Sequence, residues 1–182
     1  MLQFPSRCDE RTLEVIFALC DMWVLAAPLS VEVRNLAYFD KRQTEQQFLA
    51  GLSNRGVNRV IMDSRPVFST DAYCESLIDV QKNKLRVPCH PLVTASHPVV
   101  RFVGHPDLPR NELWLEQWAA KLSQWLSQGL TPSVFVHSSD NIAAPTLAGK
   151  LDEKVRILNP HYQSTLALPQ SQEQVSLWGD GF

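Results

Sequence analysis

The stretch Val99-Val100-Arg101-Phe102-Val103-Gly104-His105-Pro106 decides the fold. It is an apolar run with one arginine inside it and Gly-His-Pro at its end, a pattern typical of a buried strand that delivers polar groups to one edge of a sheet. Further runs follow the same plan, each an apolar strand closed by a charged residue or a histidine: Val31 to Arg34, Val60 to Arg65 and Val134 to His137. The repetition predicts a sheet of similar strands whose ends carry polar side chains.

Length and composition indicate one globular domain. The chain has 182 residues, 45 % of them hydrophobic and 20 % charged, which is ordinary for a domain with a core. A formal net charge of −2 and a pI near 6.2 lack the basic face that a nucleic-acid-binding protein needs. The sequence shows neither a run long enough to span a membrane nor the layout of a signal peptide. We therefore expect a soluble, cytoplasmic protein with no nucleic-acid or membrane partner.

The cysteines predict reduced thiols. Cys8, Cys20, Cys74 and Cys89 form no C-x-x-C pair, so neither a disulfide nor a metal site follows from their spacing.

Helical patterns alternate with the strands. Apolar residues recur at three- and four-residue spacing after Asp9 and Thr44, which are expected to cap helices, and again from Glu112 to Gln128. Pro145 is suited to the first turn of a last helix. The long polar connection from Ser64 to about Pro88 is expected to hold one short helix at 72–80 and to be functional or mobile.

This alternation predicts an α/β fold with a parallel sheet, either a (β/α) barrel or an open doubly wound sheet. No dinucleotide-binding, P-loop or serine-hydrolase motif occurs in the sequence. Charged residues inside the strands favour the barrel, because a packed open sheet would bury them unpaired at a high free-energy cost.

Several motifs, taken together and in order, resemble the later strands of the YecE-like proteins, a bacterial family of unknown function. These motifs are Leu2 to Pro5, Val31 to Arg34, Asp63, Val100 to Gly104, and Asp140-Asn141 with Ala143 to Ala148. The resemblance covers about residues 1 to 155 and implies a TIM-type barrel of which these are the fourth to eighth strands. A whole barrel takes about 250 residues, so we expect an incomplete barrel over residues 1–158, followed by a polar Gln/Ser/Pro-rich tail at 159–182. A late start site, a short paralogue or the pairing of two half-barrels would each account for the incomplete barrel.

The barrel predicts where a site lies, because barrel chemistry gathers at the carboxyl ends of the strands. Arginine forks at such a mouth suit a phosphate or a carboxylate, and the first interpretation is a small phosphorylated or carboxylated metabolite with no cofactor. The residues expected to bind it are Arg34, Arg65, Arg101, Glu32 and Asn141. Those expected to supply acid/base chemistry are His105, His137 and Asp63.

Three alternatives stay open. Glu32, Asp63, His105 and His137 could hold a divalent metal in a hydrolase or isomerase, although the arginines would repel a cation. The charged residues could instead neutralise one another as a structural network. The chain could also be a non-catalytic interaction protein that contacts a partner through the long connection and the tail. The residues decide neither whether the chain is an enzyme nor its oligomeric state.

Overall fold

The computed structural model describes residues 1–84, 86–139 and 141–166. It contains a sheet of five parallel strands that are neighbours in the order of the chain. The strands are β1 (Leu2–Gln3), β2 (Ser30–Glu32), β3 (Asn58–Asp63), β4 (Val99–Gly104) and β5 (Ser133–Ser138). The α/β class with a parallel sheet, expected from the sequence, is confirmed. Within the described residues the sheet does not close on itself, since β1 pairs only with β2 and β5 only with β4.

Helices join the strands. They are α1 (Leu13–Asp21), α2 (Gln43–Asn54), α3 (Glu75–Asn83), α4 (Glu112–Ser127) and α5 (Ala144–Leu158). Gly56 and Gly129 follow α2 and α4 with φ of 62° and 78°, a left-handed conformation that glycine adopts without strain. Within the described residues no helix combines the length and the apolar character needed to cross a membrane.

Two sequence expectations about helix starts are corrected. Thr44 does not cap α2 but lies in its first turn, because Arg42 is the N-cap and the Glu45 carboxylate accepts the backbone N–H of Lys41 at 2.7 Å. The helix in the long connection begins at Glu75 rather than at Ala72. Residues 167–182 of the expected tail, and Asp140, lie outside the described residues.

One face of the sheet packs against the helices. Residues that are paired across neighbouring strands of a parallel sheet point to the same face, and successive residues along one strand point to opposite faces. Asp63 is in register with Phe102, and Met62 is in register with Arg101. Phe102 and Ile61 are buried in one cluster with residues of α4 and α5. The side chains on the same side of the sheet as Phe102 and Asp63 therefore form what we call the helix face.

The side chains on the opposite side of the sheet form what we call the inner face, defined by Glu32, Met62, Arg101, Val103, Phe135 and His137. Glu32 belongs to it because Ser30 is in register with Asn58, so Glu32 lies beside Val60, two residues before Met62. The connection between β3 and β4 supplies apolar cover, since its Leu77 and Val80 share one buried cluster with Met62. The inner face therefore combines a buried apolar part with charged side chains.

Candidate functional site

A buried carboxylate joins two arginines on the inner face. Glu32 is 0 % exposed, and its Oε1 accepts a hydrogen bond from Arg34 Nε at 2.8 Å. Its Oε2 accepts from Arg101 Nη1 at 2.6 Å. Arg34 follows the end of β2 by two residues, and Arg101 lies on β4, with β3 between them. Two guanidinium charges therefore meet one carboxylate charge.

The two arginines keep donors for a further partner. Arg34 is 31 % exposed and Arg101 is 13 % exposed at the side chain. Among the described residues, Arg34 donates only through Nε and Arg101 only through Nη1. A guanidinium carries five N–H donors in a planar fork, so both arginines have N–H groups left to bind an anion.

His137 lies on the same face, next to these cations. Burial and the positive charges of Arg101 and Lys84 lower its pKa, while a hydrogen bond with the Asn141 side chain and the charge of Glu32 act in the opposite direction. Asn141 has a left-handed φ of 62°, which asparagine tolerates better than most residues. The lowered pKa keeps the His137 ring neutral at neutral pH, so that it can accept a proton.

Lys84 is a further cation that the sequence did not single out. It is the C-cap residue that follows α3, and its pKa is lowered by burial and by the charges of Arg101 and Arg34. One signal could have found it: Lys84 comes four residues after buried Val80, and residues at that spacing share a helix face. We call Glu32, Arg34, Lys84, Arg101 and His137 the inner-face cluster.

Asp63 and Arg65, both expected in the mouth, are not brought into this cluster. Asp63 is buried on the helix face, where its Oδ2 accepts a hydrogen bond from Trp118 Nε1 at 2.7 Å. Arg65 donates to both oxygens of Asp63, at 2.9 and 2.8 Å, and its guanidinium lies 4.6 Å from the centre of the Trp114 ring. The hydrogen bond with Asp63 raises the Arg65 pKa. The two charges neutralise each other against α4.

His105 is also separate from the inner-face cluster. Its ring is buried, with Nδ1 accepting the backbone N–H of Asp107 at 3.0 Å and Nε2 lying 3.2 Å from Thr70 Oγ1. Because Nδ1 accepts, the neutral ring carries its proton on Nε2 and donates it to Thr70. Burial and the charge of Arg110 lower the His105 pKa. Both ring nitrogens are thus engaged in holding the loop after β4.

The residues expected for the alternative metal site do not converge. Glu32 and His137 belong to the inner face, Asp63 to the helix face, and His105 to a buried loop network. In the part of the chain that the structure describes, no group of three or more His, Cys, Asp or Glu side chains could hold a metal ion. The geometry brings together cations around one carboxylate instead.

Comparisons with known proteins agree on one family. The family described as "Protein of unknown function DUF72" matches residues 1–173. The chain is 38 % identical over 169 residues to the UPF0759 protein YecE of Escherichia coli strain K12, covering 93 % of this chain and 62 % of that protein. Its identity to the YecE protein of Escherichia coli O157:H7 is 37 % over 169 residues, with the same coverage. The chain therefore spans 62 % of the length of these curated relatives.

A solved structure shares the fold. The crystal structure of a DUF72 family protein from Enterococcus faecalis V583 superposes with a TM-score of 0.55 at 16 % identity. The match covers 93 % of this chain and 61 % of that one.

Proposed function

The chain belongs to the DUF72 family of proteins of unknown function, and we propose that its inner-face cluster binds a small anionic metabolite, phosphorylated or carboxylated, in the cytoplasm. The observation that carries this proposal is the pair of arginines that share one buried carboxylate. Glu32 orients both guanidinium groups through one hydrogen bond each and balances only one of their charges. The remaining positive charge and the free N–H groups suit a carboxylate or phosphate group.

The proposal includes a TIM-type barrel as the scaffold. Two features support it: the strands are parallel and adjacent in chain order, and Glu32 and Arg101 lie on the face that a barrel would enclose. The carboxyl ends of barrel strands are where ligands bind, and Glu32 is the last residue of β2.

His137 is the residue we place for acid/base chemistry. Its neutral ring, close enough to Asn141 and Arg101 for both to affect its pKa, can accept a proton from a ligand held by the arginines. A positioned general base works best when its pKa lies near the working pH. In this proposal the arginines bind the anion and His137 receives the proton.

The test is a thermal melt with and without phosphate. A ligand stabilises only the state that binds it, and at ten times Kd the expected rise in Tm is about 3 to 6 °C for a chain of this size. Arg101→Ala should abolish the rise because it removes one of the two guanidinium groups. The matched control is Arg110→Ala, which removes an exposed arginine paired with Asp107 and should leave the rise unchanged. A full rise in the Arg101 variant would contradict the proposal.

A further inference from the structure

We propose that the inner-face cluster selects dianions, such as a phosphate monoester, over monoanions, and that Lys84 is the specificity-determining residue. This inference rests on the proposed function, because it names the class of anion that the same site takes.

The charges of the cluster carry the argument. Arg34, Arg101 and Lys84 each bring one positive charge, and Glu32 brings one negative charge, so two positive charges remain uncompensated. His137 adds none while its ring is neutral. A dianion would balance both charges, whereas a carboxylate would leave one of them unpaired in a partly buried site, where charge is costly.

Both oxygens of Glu32 accept from arginines, and among the described residues its ion pairs are with Arg34 and Arg101 and not with Lys84. Asp79, the other carboxylate that affects Lys84, is exposed and accepts a hydrogen bond from Asn83 at 2.7 Å. Within the described ranges Lys84 forms no ion pair with any residue. Its charge is therefore available to a ligand.

The position of Lys84 is fixed by the packing around it. The backbone N–H of Lys84 donates to the Val80 carbonyl at 2.8 Å, and Val80 and Val87, on either side of it in the sequence, share a buried cluster with Met62 and Val103 of the inner face. The connection between β3 and β4 is thus anchored on both sides of Lys84. Burial and the charges of Arg101 and Arg34 lower the Lys84 pKa, which agrees with a lysine side chain held near both arginines.

The experiment measures the binding of sulfate and acetate by calorimetry at pH 7.5, with ionic strength held constant by sodium chloride. Sulfate is a dianion and acetate a monoanion at this pH. The unaltered chain should bind sulfate at least about tenfold more tightly than acetate, the effect of one further charge pair at a partly buried site.

Lys84 variants test the assignment to this residue. Lys84→Gln should weaken sulfate binding about tenfold and acetate binding less than about threefold, and Lys84→Arg should restore the preference for sulfate. Lys82→Gln, which removes an exposed lysine from the same helix, should change neither.

The outcomes separate this inference from the function on which it rests. Equal affinities for sulfate and acetate in the unaltered chain, a measurement that needs no variant, would overturn the selectivity and leave anion binding standing. If Lys84→Gln lowered the affinities for sulfate and acetate by the same factor, only the role assigned to Lys84 would be overturned. Binding of neither anion by the unaltered chain would contradict the proposed function and the inference together.

Discussion

Glu32 is the residue on which the charge of the inner face depends. A carboxylate that is 0 % exposed is stable in its charged form only with partners, and here two arginines satisfy one oxygen each. The same carboxylate also competes with an external anion, because it neutralises part of the positive charge that would attract one. Stability and binding therefore place opposite demands on this residue.

Replacing Glu32 should change stability and phosphate binding in opposite directions. Glu32→Gln should lower the free energy of unfolding by about 3 kcal/mol, since removing one member of a buried ion pair leaves its partner charge uncompensated. It should at the same time strengthen phosphate binding, because the guanidinium groups lose their internal counter-charge. Urea unfolding and phosphate titration measure the two effects.

Glu116→Gln is the matched control, since Glu116 is exposed on α4 and pairs with Lys154 at 3.7 Å; it should change neither quantity by a measurable amount. Weaker phosphate binding in Glu32→Gln would contradict the expectation that the Glu32 carboxylate competes with the bound anion.

Several members of the site could be predicted from single residues, and others could not. Alternation along an extended strand places Glu32 and Arg34 on one side, and two charges within an apolar run indicate a functional or paired role for both. Asp63 was expected beside them, but the face of a strand residue depends on register, and a difference of one position moves its side chain to the helices. Lys84 was missed because neither periodicity nor strand position specifies the path of a long connection.

At the scale of elements, the loop after β4 is held by one asparagine. Asn111 is buried, and its Oδ1 accepts the backbone N–H of His105 at 2.7 Å. Its Nδ2 donates to the carbonyls of His105 and Asp107, at 2.9 and 3.1 Å. The loop is thereby fixed to the start of α4, together with the buried ring of His105.

Asn111→Ala should lower the free energy of unfolding by about 3 kcal/mol, because it leaves a buried backbone N–H and carbonyl of the loop without partners. Phosphate binding should persist, since His105 and Asn111 lie outside the inner-face cluster. Denaturant unfolding with a phosphate titration checks both statements. Asn83→Ala, which removes an exposed asparagine, should lower the free energy of unfolding by less than about 0.5 kcal/mol. An equal loss of unfolding free energy in the two variants would contradict the role of the buried hydrogen bonds.

The strands and helices themselves were largely predictable. Apolar periodicity and the glycines at 56 and 129 fixed the type of each element and the ends of α2 and α4. The start of α2 could not be read from Thr44, because the Glu45 side chain reaches back to the backbone of Lys41, and this depends on the shape of the preceding turn. Local sequence specifies an element better than it specifies the element's first residue.

For the whole molecule, the order of the strands decides where the site lies. Each strand neighbours its successor and all are parallel, so their carboxyl ends share one edge and the polar ends of β2 and β5 lie on the same side as Arg101 of β4. The alternation of strands and helices predicted this parallel sheet. Barrel closure depends on pairing between the first and last strands of a sheet, which the pattern within each strand does not specify.

The central claim is that the arginines of the inner face form the anion site, and the most direct measurement is a crystal soaked in selenate, with the selenium located by its anomalous signal. The account predicts a peak within hydrogen-bond reach of the guanidinium groups of Arg34 and Arg101, on the side of Lys84. Selenium found only beside Arg65 and Lys121, which line a pocket on the helix face, or found nowhere on the protein, would contradict it.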